Sequence, residues 1–229
     1  TSQGHDIYSA MTRISVASLR LTNPDFYISL VCDKLTYKAL TKTCDPLLNE
    51  VDEYLAFEAP PGDAGFRNRH IKTRLRQLLT GPFLFLDSDT LIRGDLSPLF
   101  SLDTDIAGAK NHSKQHLRDQ IWKQDLETLQ IMNWSVSGVA YINGGVLLYQ
   151  DTPAAHNFSR LWHQKWLHSC KHCGKYRDQP ALNSSLHETK IKFTLLENKF
   201  NSQFKIEIPV AKDSIILHYY SSQDNLPIT

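Results

Sequence analysis

The sequence predicts an α/β layered fold on a largely parallel sheet, in a single domain over residues 1–229. Short apolar runs of strand length alternate along the chain with amphipathic stretches of helix length. No repeat, low-complexity tract or Gly/Ser linker divides them. With 229 residues, 41% of them hydrophobic and 21% charged, the chain can bury one sizeable core and has an ordinary globular composition.

Residues 1–6 (TSQGHD) read as a loop. From Ile7 to Leu21 the apolar side chains Ile7, Met11, Ile14 and Leu19 keep helical spacing, and TNPD ends the segment. FYISLVCD (26–33) reads as a buried strand stopping at Asp33. RHIKTRLRQLL (69–79) is a basic helix with Ile71, Leu75, Leu78 and Leu79 apolar, halted by Gly81-Pro82. FLFLDSD (83–89) and DIAGAK (105–110) read as strands, and HLRDQIWKQDLETLQIM (116–132) as a helix. GVAYINGGVLLYQ (138–150) reads as one or two strands around Asn-Gly-Gly. Thr152 caps a long helix from Pro153 to about His168. DQPALNSSLHE (178–188) reads as a short helix, and IKFTLL (191–196) and SIILHYY (214–220) as the last strands. Sheets of this kind usually open on a strand, so a first strand is to be sought upstream of Thr1.

A net charge near +1 supplies no bulk field for nucleic acid or an anionic membrane, so an anionic ligand must be drawn by local groups. No apolar run approaches the length of a transmembrane segment, and no leader pattern opens the chain. A cytoplasmic location is favoured on that ground. Four N-x-S/T triplets, at Asn111, Asn133, Asn157 and Asn183, keep a secretory lumen as the alternative. Four cysteines are too few for a disulfide scaffold. Cys170 and Cys173 form a C-x-x-C beside His168 and His172. That is half a zinc site with no matching second pair, so a structural or incidental role is favoured.

Asp87 and Asp89 end the run FLFL. Alternate residues of a strand share a face, so both carboxylates point one way if strand geometry persists. The C-terminal end of such a strand is where open α/β sheets bind ligands, and a hard divalent cation relieves the repulsion of paired carboxylates. A solvated turn is the plain alternative. His218 ends SIILH and gains interest only as a third metal ligand. Asn143-Gly144-Gly145 permits close backbone approach to a ligand, or is a simple turn or bulge. Asp178 and Gln179 open a helix, as a cap with a polar neighbour or as functional groups. Lys72 and Arg74, taken alone, are solvated charges.

Haloacid-dehalogenase-type phosphatases also carry two aspartates after an apolar strand, the first a nucleophile. They place Thr or Val where this chain has Leu91, and need a downstream acidic pair where Asp213 stands alone. That reading, with Asp87 as nucleophile, stays as an alternative.

In chain order, SVASLRLTNPDFYISLVCD, NRHIKTRL, FLFLDSDT, YINGGVLLY, RDQPALN and ILHYY resemble retaining glycosyltransferases of the glycogenin and lipopolysaccharide galactosyltransferase type, glycosyltransferase family 8. The resemblance implies a Rossmann-like GT-A fold, a mixed and mostly parallel sheet flanked by helices. It implies a nucleotide-diphosphate sugar donor, UDP-sugar before GDP-sugar, and Mn²⁺ or Mg²⁺ as cofactor. By position, Asp87 and Asp89 match the family's D-x-D metal ligands, with Ser88 between them counted among the donor-binding residues. His218 matches the histidine that completes the metal site. Lys72 or Arg74, Lys72 preferred, matches the basic residue reaching the donor. Asn143, Gly144 and Gly145 match the strand lining the sugar pocket, and Asp178 and Gln179 the pair at the transferred sugar.

The chain departs from the pattern in lacking the first strand and in ending HYYSSQDNLP, without the family's glycine and lysine-rich close. The implied chemistry is same-face attack with retention, Asp178 binding sugar hydroxyls and Gln179 stabilising the electron-poor sugar face. A non-catalytic nucleotide-sugar binder is the third reading. A glycan, lipid or protein acceptor is not distinguished.

Overall fold

The structure, a computed structural model, describes residues 7–112, 114–136, 138, 140–203 and 212–219. The first helix is α1 (Ile7–Thr22). Its docked side is built from Ser15, Val16 and Ser18, while Ile14 remains 57% exposed. The serines win because their hydroxyls meet the next layer: Ser15 Oγ lies 3.0 Å from Thr90 Oγ1, and Ser18 Oγ accepts from Ile92 N.

β1 (Ser29–Asp33) ends in Asp33, which caps α2 (Lys34–Lys42) by accepting from Leu35 N and Thr36 N. α3 (Leu47–Glu50) and β2 (Glu53–Phe57) follow, short elements that no periodic run in the sequence announces. The basic stretch forms two helices, α4 (Ala64–Lys72) and α5 (Leu75–Leu78), where one is expected over 69–79. Asp63 starts α4 by accepting from Phe66 N. The break comes at Thr73, whose carbonyl accepts from Ser159 Oγ instead of from Gln77 N, which bonds Arg74 O.

β3 (Phe83–Leu86) stops before the aspartates, which form a turn into β4 (Thr90–Ile92). A 3-10 turn at Ser97–Ser101 leads to β5 (Ile106–Lys110). The helix expected over 116–132 is split into α6 (Leu117–Gln120) and α7 (Lys123–Ile131). Gln120 turns inward at the split, donating to Lys114 O and accepting from Tyr141 N. β6 (Ile142–Tyr149) is one strand, buried at every position. α8 (Pro153–Cys173) runs past the expected His168 to Gly174, whose φ of 62° gives the left-handed cap glycine favours. α9 (Gln179–Thr189), β7 (Phe193–Leu196), β8 (Ser202–Gln203) and β9 (Ile216–His218) complete the order. Tyr220 and the following SSQDNLP lie outside the described residues.

β1 pairs with β2, the central sheet runs β3-β6-β5-β7, and a third sheet runs β4-β9-β8. Among the described residues, β1·β2, β5·β7 and β8·β9 are parallel; β3·β6, β5·β6 and β4·β9 are antiparallel. The fold is mixed α/β as expected, but without a parallel majority, because β6 runs against both its neighbours.

β6 is central on both faces. Leu147 and Tyr149 pack with Phe158, Trp162 and Trp166 of α8, while Val146 and Leu148 pack with Leu96, Leu99 and Ile216 on the other side. Covering both faces explains a strand with no polar alternation. Removing either tryptophan would cost about 3–5 kcal/mol. No helix among the described residues is long and apolar enough to cross a membrane.

Candidate active site

The turn Asp87-Ser88-Asp89 is held from three sides. Asp87 N donates to Gly145 O, Thr90 Oγ1 to Asp87 O, and Tyr219 N to Asp89 O, each at 2.8 Å. Strand geometry does not persist through the acids; their carboxylates converge because β6 and the residue after β9 pin the turn. His218, 2% exposed, points Nε2 at Asp89 Oδ1 (3.2 Å) and Asp87 Oδ2 (4.0 Å). Its Nδ1 donates to Asn201 Oδ1 at 2.8 Å, which fixes the ring and leaves Nε2 toward the acids. One ligand atom from each of Asp87, Asp89 and His218 lies within 4.8 Å of the others. Among the described residues no other group of three or more His, Cys, Asp or Glu side chains meets that condition.

Two carboxylate oxygens and one imidazole nitrogen, oriented from behind, fit a divalent cation such as Mn²⁺. The electrostatics agree. Burial pushes the Asp87 carboxyl up, against the pull of Lys72, and the neighbouring Asp89 charge adds to the rise. At Asp89 burial also works upward, but the hydrogen bond and charge of His218 outweigh it and hold the carboxyl below its usual range. The two acids are driven apart, as expected where paired carboxylates share too little positive charge.

The Asn-Gly-Gly stretch is a bulge. Between the pairings Gly108↔Leu147 and Lys110↔Ile142, β5 advances two residues while β6 advances five. The surplus brings Gly145 under the acids. A Cβ there would lie 2.2 Å from His218 Cε1 and 2.9 Å from Asp87 Oδ2. Glycine is therefore required by the packing of the cluster. Gly144 faces Asp178 and Lys72, at ordinary contact distances of 3.5 and 3.7 Å for a Cβ. Asn143 accepts from Gly145 N at 2.8 Å and donates to Asn111 Oδ1 at 3.1 Å and Gln179 Oε1 at 3.3 Å.

Asp178 precedes α9 but makes no cap hydrogen bond. Its carboxylate turns to Lys72 Nζ and Arg69 Nε, each at 3.5 Å, while its carbonyl accepts from Trp162 Nε1 at 3.0 Å. Lys72 Nζ also donates to both oxygens of Asp87 at 3.0 Å, so it bridges Asp87 and Asp178. Burial would raise the Asp178 carboxyl, but Lys72 and Arg69 together hold it below the ordinary carboxylate range. Burial would lower the Lys72 ammonium, but Asp178 and Asp87 hold it above its usual value. Oδ2 of Asp178 is buried without a hydrogen-bond partner in this arrangement.

The structure thus gathers Lys72, Asp87, Asp89, Asn143, Gly144, Gly145, Asp178, Gln179 and His218, with Ser88 half-buried at the turn. Arg74 is elsewhere: it stands before α5, its charge felt by His70 and His163, and two residues past Lys72 it lies off the helix face that Lys72 shares with Arg69. Arg69 takes the second cationic place. It lies three residues before Lys72, a spacing that puts both on one helix face and was legible in the sequence. Asn201 and Asn111 had no local signal. The four cysteines are free, and Cys170 packs against the α8 core. Of the sequon asparagines, Asn111 and Asn183 are buried and bonded to backbone, whereas Asn133 and Asn157 are exposed.

A family model described as Glycosyl transferase family 8 matches residues 68–223. The fold is similar to mouse xyloside xylosyltransferase 1 in its apo form, with a TM-score of 0.59, 13% identity, and coverage of 96% of this chain and 94% of that one. It is similar to the galactosyltransferase LgtC in complex with donor and acceptor sugar analogues, with a TM-score of 0.60, 16% identity, and coverage of 95% and 85%. The glycosyltransferase GlyE of Streptococcus pneumoniae TIGR4, in its apo form, matches with a TM-score of 0.59, 19% identity, and coverage of 94% and 52%. No curated relative matches by sequence.

Proposed function

The chain belongs to glycosyl transferase family 8, and from that premise we propose a transferase that retains anomeric configuration and depends on a divalent cation. Its donor is a sugar on a nucleoside diphosphate, UDP before GDP. The observation that carries this reading is the convergence of Asp87, Asp89 and His218, bridged by Lys72 to a partly unsatisfied Asp178.

Asp87, Asp89 and His218 would hold Mn²⁺ or Mg²⁺, which when bound supplies Lewis acidity toward the leaving diphosphate. Lys72 holds a second positive charge beside Asp87, where negative charge grows on the leaving group. Asp178 would accept a sugar hydroxyl at Oδ2, whose contact with Lys72 Nζ is an ion pair at 3.5 Å with no hydrogen bond. Its clasp by Lys72 and Arg69 makes it a poor nucleophile, because a carboxylate held by two cations gives up little electron density. Gln179 presents its amide carbonyl to the electron-poor sugar face. Same-face attack fits this arrangement: the acceptor oxygen bonds the anomeric carbon, the bond to the diphosphate breaks, and the acceptor proton passes to a departing phosphate oxygen.

The phosphatase alternative is not favoured, since the family model matching residues 68–223 is that of glycosyl transferase family 8. Incubation with a panel of UDP- and GDP-sugars and Mn²⁺, followed by NMR of the released or transferred sugar, tests the reading. One donor should be consumed with its anomeric configuration kept. An inverted product contradicts the mechanism, and binding without turnover of any donor leaves the non-catalytic binder.

A further inference from the structure

We propose that Asp125 is a positioning residue for this transfer, acting by locking the amide of Gln179 in one orientation. The inference rests on the reading above that Gln179 faces the donor sugar. Asp125 lies on α7, wholly buried and distant in sequence from every motif of the site. Oδ1 accepts from Arg177 Nε, and Oδ2 faces Gln179 Nε2 at 3.5 Å. On its other side Gln179 Oε1 accepts from Asn143 Nδ2 at 3.3 Å. Asn143 has no freedom to turn, because its own Oδ1 accepts from Gly145 N at 2.8 Å. Gly145 in turn accepts from Asp87 N.

A carboxylate can only accept, and Asn143 offers Gln179 only donors. Gln179 therefore has one amide orientation that satisfies both ends: nitrogen toward Asp125, oxygen toward Asn143 and the cluster. The run Arg177-Asp178-Gln179 is gripped at every residue, by Asp125, by Lys72 with Arg69, and by Asn143 with Asp125. A tether between α7 and the start of α9 would not need this chemistry. Replacing a buried ion pair by apolar side chains of similar size is often neutral, and Arg177 here stays 37% exposed, so packing alone gives little reason to bury the Asp125 carboxylate.

Asp125→Asn tests the idea. The new amide turns its oxygen to the Arg177 guanidinium, which has only donors, and leaves its NH₂ facing the NH₂ of Gln179. The Gln179 amide is then driven out of its orientation. The expected result is a fall in kcat on the order of tenfold to a hundredfold, with donor KM and the Kd of UDP with Mn²⁺ within about threefold of wild type. The double variant Asp125→Asn with Arg177→Met removes the guanidinium, so the amide oxygen can return to Gln179. It should recover kcat to within about threefold of wild type. A merely structural role predicts further loss in the double variant. Wild-type kcat in Asp125→Asn, or a folded double variant that binds UDP and stays as slow as the single one, overturns the proposal. Loss of UDP binding in both variants also overturns it, since Asp125 is then a folding residue. A wild type that consumes no donor removes the transferase reading and this one with it. Wild-type turnover alongside an unaffected Asp125→Asn removes this one alone.

Discussion

Two carboxylate centres lie on either side of one lysine, and they are balanced in opposite ways. At Asp178 a single acid is met by two cations, Lys72 and Arg69, and its carboxyl is held below the usual range despite burial. At Asp87 and Asp89 two acids share Lys72 and an imidazole, and burial pushes Asp87 up. The first centre is electrostatically complete within the chain. The second holds more negative charge than the chain's own cations offset, and a cation from outside would complete it. The difference suggests a division of labour, Asp178 binding a neutral hydroxyl and the Asp87 cluster binding charge.

The largest expected effect comes from breaking the second centre. Asp87→Asn takes the negative charge from a proposed metal ligand and leaves Lys72 one neutral amide oxygen in place of a carboxylate, so turnover should fall by about 10³ with metal-dependent UDP affinity lost. Steady-state kinetics with a titration of UDP checks both. Asp178→Asn breaks the other centre alone. Turnover should fall by roughly 10², while UDP binding in Mn²⁺ stays within about threefold of wild type. Equal loss of binding in the two variants would erase the distinction between the centres.

Gly145→Ala comes next. Its Cβ must displace His218 and Asp87, at a cost of about 1–3 kcal/mol in urea unfolding, whereas Gly144→Ala meets nothing closer than 3.5 Å and should cost about 1 kcal/mol or less. The smallest effect is in pH. The folded Asp178 carboxyl sits below its unfolded value, so its contribution to stability is present above the unfolded pKa and is lost as pH falls through the folded one. The stability gap between wild type and Asp178→Asn should narrow as the solution is taken from about pH 6 to about pH 3. A gap that widens would mean the carboxyl is raised in the fold.

The acids and the imidazole of both centres could be found from sequence because each sits at the end of an apolar strand or the start of a helix, where the local pattern marks a change. Asp87, Asp89 and His218 each close an apolar run, and Asp178-Gln179 precede the periodic residues of α9. What supports them was not legible. Asn201 reaches His218 across 17 residues, and Asp125 reaches Gln179 across 54, so no local spacing encodes either contact. Arg69, by contrast, was within reach of the sequence, because it stands three residues from Lys72 and shares its helix face, whereas Arg74, two residues away, does not. Periodicity also misjudged α1, where Ile14 faces water because hydrogen-bonding serines supply the docked side.

The central claim is that Asp87, Asp89 and His218 seat a cation against the donor's diphosphate, and calorimetric titration of UDP into wild type and Asp89→Ala, with and without Mn²⁺, tests it most directly. Wild type should bind UDP tightly only with Mn²⁺, and Asp89→Ala should lose that dependence while remaining folded. Binding of equal strength in both proteins, or binding indifferent to the metal, would contradict the account.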